Sequence, residues 1–282
     1  MAAQSGRVVL LTGAAGGIGR VMTAALLAAG HSVAAVDRDQ AALDRLTARH
    51  GAASDRLHPI VADLGTEAGC QSAVAAARAK FGAIEAVINN AGIGMSSIRP
   101  DAEARAPGIE ELTPQIWDGF MAIFVRAPVM LVRAALPDMK RGGFGRIVNN
   151  TTSYVTMLRV LPYGAAKAAL ESMSAVWAKE LDGSGITVNV LVPGGPTDTA
   201  LIARRSWDRP RHGSFQTRPR HLPAGASPPH AGTRSSSRRT PPRARAAPSA
   251  GRNLPPTPFG LLEARRRPTN RTCRLDSGRK LA

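Results

Sequence analysis

The sequence predicts an α/β fold, a doubly wound parallel sheet in a single domain, followed by a disordered basic tail. Three observations carry this expectation. Short apolar runs alternate with stretches of helical period through residues 1–203, the first run leads directly into a glycine-rich turn, and the composition changes abruptly after Ala203. The apolar runs are near-continuous rather than alternating, as strands buried on both faces must be, and this places helices on each side of a parallel sheet.

The first strand, RVVLL at 7–11, is far too short for a signal h-region or a membrane span. It ends at TGAAGGIG (12–19), where Gly13, Gly17, Ile18 and Gly19 follow the strand and open a helix at 18–29. Bare backbone can approach a pyrophosphate at such a turn, and the helix N-terminus favours its charge. The spacing GxxxGxG is a variant of the Rossmann-type dinucleotide fingerprint. The second strand, SVAAVD (32–37), ends on Asp37, 18 residues beyond Gly19. A carboxylate there can accept hydrogen bonds from adenosine ribose hydroxyls and repel a 2′-phosphate, which favours NAD over NADP. Arg38, next in the chain, either counters that preference or is simply an exposed charge at the strand end.

A helix at 39–50 leads to the third strand, LHPIVAD (57–63), and a helix at 66–81 to the fourth, AVINN (86–90). Thr113 before Pro114 reads as an N-cap and first-turn pair that opens one long helix over 114–140, and Gly142-Gly143 ends it. The fifth strand is RIVNN (146–150). A helix at 162–182 and the strand TVNVLV (187–192) complete a six-stranded pattern. Tyr163 and Lys167 fall at i and i+4 of that last helix, so their side chains share one face roughly 6 Å apart. An ammonium beside a phenol favours phenolate, and this brings acid and base work by a tyrosine near neutral pH within reach.

Residues 204–282 are of a different kind. They hold 19 Lys and Arg against three acids, Asp208, Glu263 and Asp276, so +16 of the chain's +17 resides there. The preceding 203 residues hold 18 basic groups against 17 acids, and the high charge therefore describes a tail and not a domain. The tail contains 12 of the 21 prolines and no Val, Ile, Met or Tyr, too little apolar surface to offset the entropy of ordering it. An ordered domain at 1–203 and a disordered tail at 204–282 are expected accordingly. Cys70 and Cys273, one in each region, make neither a disulfide framework nor a metal pair, and a reducing cytoplasm is the expected location. No metal site is expected.

The order TGAAGGIG, Asp63-Leu64, NNAG at 89–92, GRIVN at 145–149, Tyr163-Gly-Ala-Ala-Lys167 and VPGGPTDT at 192–199 resembles the short-chain dehydrogenase/reductase family over roughly residues 5–202. The resemblance implies an NAD(P)-dependent oxidoreductase that passes hydride between nicotinamide and a small secondary alcohol or ketone. It implies that Asp63 contacts the adenine amino group with Leu64 beside it, that Asn90, Ala91 and Gly92 line the adenosine ribose, and that Pro193, Gly194 and Thr197 lie along the nicotinamide. Lys167 would hold the nicotinamide ribose and lower the phenol pKa, and Tyr163 would exchange a proton with the substrate oxygen. The substrate pocket would form from 95–108, 154–161 and the region after Thr199.

Two departures stand out. The serine with which the family polarises the substrate carbonyl aligns with Thr152, two residues closer to Tyr163 than is usual, so either the loop is shorter or Ser153 has taken the role. The extra methyl of a threonine stiffens χ1 and can misplace the hydroxyl. Phe124 aligns where the family has an asparagine that binds a water of the proton relay, and a phenyl ring offers no polar atom, so either turnover falls or Phe124 is a core residue and another group carries the relay. A non-catalytic dinucleotide-binding protein is the alternative these departures raise.

The resemblance also implies a covering helix and a further strand after the VPGG segment, which the tail cannot supply. Its Arg-, Pro- and Ala-rich composition is what a GC-rich gene yields when read out of frame near codons 203–210; the rival reading is a genuine basic extension that binds nucleic acid non-specifically through phosphate contacts. No membrane partner is expected. Homo-oligomers are the rule in the family, but one of its two usual contacts uses the C-terminal region this chain lacks.

Overall fold

The structure, a computed structural model, describes residues 6–53, 55–102 and 105–193. Six parallel strands, β1 (Val8–Thr12), β2 (Ser32–Asp37), β3 (Leu57–Val61), β4 (Ala86–Asn89), β5 (Gly145–Asn150) and β6 (Ile186–Leu191), form one sheet in the order β3-β2-β1-β4-β5-β6. From β1 the chain winds outward to β3, then returns to the centre and winds the other way from β4 to β6. The crevice where the winding reverses therefore opens beyond the C-terminal ends of β1 and β4. Both motif-bearing turns, TGAAGGIG and NNAG, leave the sheet at that crevice.

Alternation along the strands divides the core in two. On β1, Leu11 packs with Leu27 of α1 (Gly17–Ala28) and with Leu43 and Leu46 of α2 (Gln40–Arg49). Its neighbour Leu10 points the other way, into a cluster with Val74 of α3 (Glu67–Phe81), Leu131 and Met139 of α5 (Ala127–Gly142) and Ile147 of β5. Each fully buried Leu contributes about 1.5–3 kcal/mol of transfer free energy, so both helical layers are held by apolar burial.

Local signals set the helix limits. The Asp39 carboxylate accepts from the Ala42 amide, the Thr66 hydroxyl from Gly69 and the Thr113 hydroxyl from Ile116, which opens α4 (Pro114–Met121). Gly143, in the left-handed region at φ 60°, ends α5 as expected. The long helix expected over 114–140 is not uniform, because residues Ala122–Arg126 form a π-helical turn between α4 and α5. Proline explains it. Pro128 has no amide hydrogen to offer the carbonyl four residues back, at Phe124, and the widened turn re-registers the ladder so that the Ala127 amide reaches Ala122.

The span Pro114–Gly142 is long and apolar enough, by length and composition, to cross a membrane. Part of its apolar surface is used in the core, where Leu131, Ala135 and Met139 are buried against the sheet. A short α6 (Tyr154–Met157) precedes α7 (Tyr163–Glu180), which packs beside β6. The boundary expected at 203/204 and the tail beyond it lie outside the described residues.

Candidate active site

The glycine turn is built by close approach of backbones. Gly13 adopts φ 62°, and a Cβ on Gly19 would lie 1.9 Å from the Gly13 carbonyl oxygen, so only glycine lets α1 start so near the end of β1. A Cβ on Gly13 would in turn meet Ala91 Cα at 2.8 Å, which packs this turn against the NNAG turn. Thr12 fastens the two: its hydroxyl accepts from the amides of Asn90 at 2.9 Å and Ala91 at 3.0 Å and donates to Ile88. The N-cap of α1 is Gly16, which has no side chain to bond the first-turn amides near Gly17, Ile18 and Gly19. An uncapped helix N-terminus fits an anionic diphosphate.

Asp37 closes β2 beside this turn. One carboxylate oxygen accepts from the Ala15 amide at 3.1 Å and the other from Arg38 at 2.8 Å and Asp39 at 3.3 Å. The charge is thereby fixed at the rim of the glycine turn. Asp63 is exposed and accepts from the Gly65 amide, whereas Leu64 is buried in the core.

Across the crevice Lys167 is 4% exposed, a deep position for an amine. Its Nζ donates to the Asn150 carbonyl at 2.6 Å and lies 4.3 Å from the centroid of the Phe124 ring. Burial pushes its pKa down from the usual 10.5 to about 7. Tyr163, the first residue of α7 and half-buried, meets the same Phe124 ring edge to face at 5.3 Å. Both candidate catalytic side chains thus converge on one aromatic surface, and the ammonium is 5.7 Å from the phenol ring centroid. Phe124 itself is buried among Met95, Phe120 and Ala166, so it is a core residue and a wall of the site together. Gly92 lies beneath it, where a Cβ would come within 2.8 Å of the Phe124 ring.

The two candidates for the carbonyl-polarising hydroxyl are unequal. Ser153 caps α6, with its Oγ 3.3 Å from the Thr156 amide and 3.0 Å from the Thr156 hydroxyl, so it is already engaged. Thr152, half-buried at the end of β5, makes no hydrogen bond of this kind among the described residues. Two buried oxygens in the same corner, Thr151 Oγ1 and Asn150 Oδ1, have no protein partner. The uncapped helix start is what the diphosphate of a bound nucleotide would satisfy. Pro193 lies two residues beyond the end of β6; Gly194 and Thr197 lie outside the described residues.

The sequence profile described as short chain dehydrogenase matches residues 7–209. The chain belongs to the short-chain dehydrogenase/reductase family. Among the relatives of this short-chain dehydrogenase/reductase is D-threitol dehydrogenase of Mycolicibacterium smegmatis, 31% identical over 208 residues that cover 73% of this chain and 75% of that one. The 2-(R)-hydroxypropyl-CoM dehydrogenase of Xanthobacter autotrophicus is 35% identical, with 67% and 74% covered. Among solved structures, the 3-ketoacyl-(acyl-carrier-protein) reductase of Brucella melitensis complexed with NADH superposes with a TM-score of 0.60 at 30% identity, covering 70% of this chain and 78% of that one.

Sequence reasoning did not anticipate how this short-chain dehydrogenase/reductase ties its crevice together. The NN dipeptides at 89–90 and 149–150 end two neighbouring strands, with Asn89 in register with Asn149. Because successive side chains point to opposite faces, each asparagine meets its counterpart: Asn89 donates to Asn149 at 2.7 Å and Asn150 donates to Asn90 at 2.9 Å. The repeated dipeptide was the available signal, and it becomes legible only once β4 and β5 are known to be neighbours. Within residues 93–112, ion pairs join Arg99 to Asp101 and Glu111, and Arg105 to Glu111.

Proposed function

We propose that this protein is an NAD-preferring oxidoreductase that interconverts a small secondary alcohol and its ketone. The observation that carries the reading is the convergence of Tyr163 and the buried Lys167 on one wall of the crevice opposite an uncapped, glycine-built helix start. Such an arrangement suits a proton-transferring phenol and a charge working beside a bound dinucleotide. When bound, nicotinamide supplies or accepts the hydride.

The chain's own residues supply the rest. Gly13, Gly17, Ile18 and Gly19 present backbone to the diphosphate, and Asp37 accepts from the adenosine ribose. Asp63 and the segment 90–92 flank the adenosine, and Pro193 borders the nicotinamide. Lys167, held by the Asn150 carbonyl, presents its amine to the nicotinamide ribose and stabilises negative charge on the Tyr163 oxygen. The phenol gives a proton to the substrate oxygen in reduction and takes it back in oxidation. Thr152, whose hydroxyl is less engaged than that of Ser153, orients the substrate oxygen. The relatives' names support the substrate class: D-threitol dehydrogenase and D-beta-hydroxybutyrate dehydrogenase of Cupriavidus necator are both named for small hydroxylated molecules. Charge repulsion by Asp37 favours NAD, although solved neighbours are described in complex with NADH and with NADP.

Phe124 favours a second reading, a nucleotide-binding protein with little turnover, because an apolar ring stands where a polar relay group is expected. A single pair of measurements separates the two. Fluorescence titration of the full chain with NADH should show binding, and assays with NAD and a panel of small secondary alcohols should show turnover that Tyr163→Phe lowers by about a hundredfold or more without weakening NADH binding. Binding without turnover in the wild type would select the second reading.

A further inference from the structure

We propose that Asn150 is a positioning residue that couples occupancy of the glycine turn to the placement of the Lys167 amine. The proposal rests on the reading of that turn as a nucleotide site, and it adds a connection that the reading does not contain.

The connection is continuous in hydrogen bonds. The backbone carbonyl of Asn150 accepts from Lys167 Nζ at 2.6 Å. The Asn150 side chain donates through Nδ2 to Asn90 Oδ1 at 2.9 Å. Asn90 Nδ2 then donates to the carbonyl oxygens of Thr12 at 3.1 Å and Gly13 at 3.2 Å. Two asparagines therefore join the first glycine of the turn to the amine on α7, across the switch point of the sheet.

Packing alone gives no reason for an amide here. Asn150 is 6% exposed, and its Oδ1 is buried without a protein partner, so the side chain carries a desolvation cost that an apolar residue would not. The neighbouring Asn149 shows what structural bracing looks like: its amide bonds Asn89 and the Ser174 hydroxyl, so α7 is already anchored to β5 from the other face. What Asn150 adds is a short link, since its side chain and the carbonyl that holds Lys167 branch from one Cα. The amine has few competing partners. Its cavity is lined by Thr12, Asn89, Phe124 and aliphatic residues, with no second charged side chain, and Tyr163 is the other titratable group beside it. A small shift of the carbonyl therefore changes how well the ammonium is solvated, and nucleotide binding that moves Gly13 reaches Lys167 along this path.

Adenosine diphosphate is the probe, because it carries the adenosine and diphosphate and lacks the nicotinamide ribose that would touch Lys167 directly. The full chain, labelled in its lysine side chains, is titrated with pH by NMR with and without saturating adenosine diphosphate, and the Lys167 resonance is assigned with Lys167→Met. The same is done for Asn150→Leu, which keeps size and removes the bond to Asn90, and for Asn150→Ser, which is too short to make it. In the wild type the nucleotide should move the Lys167 midpoint by about half a unit or more, and in the variants by less than about a third of that, with adenosine diphosphate still bound. Binding that leaves the wild-type midpoint in place, or moves it equally in either folded variant, overturns the coupling while sparing the nucleotide reading. Failure of the wild type to bind adenosine diphosphate overturns the nucleotide reading, and the coupling with it.

Discussion

The Lys167 ammonium stands 4.3 Å over the Phe124 ring, and the same ring meets Tyr163 edge to face at 5.3 Å. Phenylalanine at 124 is therefore in contact with both halves of the proposed proton-transfer pair. A ring face attracts a cation but cannot accept or pass on a proton, so Phe124 positions the pair and interrupts any relay to solvent through its own side chain. Phe124→Asn should raise turnover by about tenfold or more under saturating nucleotide. The same change empties apolar volume next to Phe120 and Ala166 and should destabilise the fold by about 3 kcal/mol or more. Steady-state rates and urea melts of the two proteins measure both effects, and a Phe124→Asn enzyme no faster than the wild type would show that position 124 does not limit proton exchange.

Lys167 should make stability rise with pH. Its folded pKa is depressed to about 7 by burial, while the unfolded chain has the ordinary value of 10.5. Between those values the unfolded state binds the extra proton, so this group's penalty is full below pH 7 and fades as pH rises toward 10.5. Lys167→Met removes the group and leaves the Asn150 carbonyl unpaired at every pH, a constant offset. The difference in unfolding free energy between variant and wild type should accordingly favour the variant most at pH 6 and least at pH 10, by a few kcal/mol over that range. A difference that does not change with pH would mean the amine stays charged in the fold.

Much of this was readable without coordinates, and the reasons are local. Continuous apolar runs such as SVAAVD mark strands buried on both faces, and Thr113-Pro114 and Gly142-Gly143 mark helix limits through backbone chemistry that acts within a few residues. Tyr163 and Lys167 were legible because helix geometry alone sets their spacing. The features that were not legible depend on which strands and helices become neighbours. Asn90 meets Asn150 only because β4 pairs with β5, and Phe124 meets Lys167 only because the π turn packs on α7. Pro128, in the middle of the helix read from sequence, forces that turn only because the chain stays helical on both sides of it, which sequence spacing does not show.

Two glycines with different surroundings should respond differently to one added methyl. Gly19→Ala drives a Cβ to 1.9 Å from the Gly13 oxygen and 2.8 Å from Ala14 Cα, so the helix must move away from the strand. The variant should lose NADH affinity by about tenfold or more and melt several degrees lower. Gly30, at φ 86° with open space around a Cβ, meets only backbone strain, and Gly30→Ala should cost about 1 kcal/mol while leaving NADH affinity unchanged. Fluorescence titration and thermal melts of the pair distinguish damage to the turn from general instability.

Nucleotide choice should rest on Asp37, whose carboxylate is locked in place by the amides of Ala15, Arg38 and Asp39. A fixed negative charge cannot swing away from an incoming 2′-phosphate, and Arg38 follows it in the chain at an exposed position. Asp37→Ser removes the charge and keeps an oxygen that can accept one of the three amides. Affinity for NADPH should then rise relative to NADH by about tenfold to a hundredfold, because the repulsive element is gone and Arg38 is free to attract the phosphate. Asp37→Ser, Arg38→Ala should recover only part of that change, which separates loss of repulsion from gain of attraction. The comparison needs only dissociation constants for NADH and NADPH in three proteins, and an unchanged ratio in Asp37→Ser would remove Asp37 as the determinant.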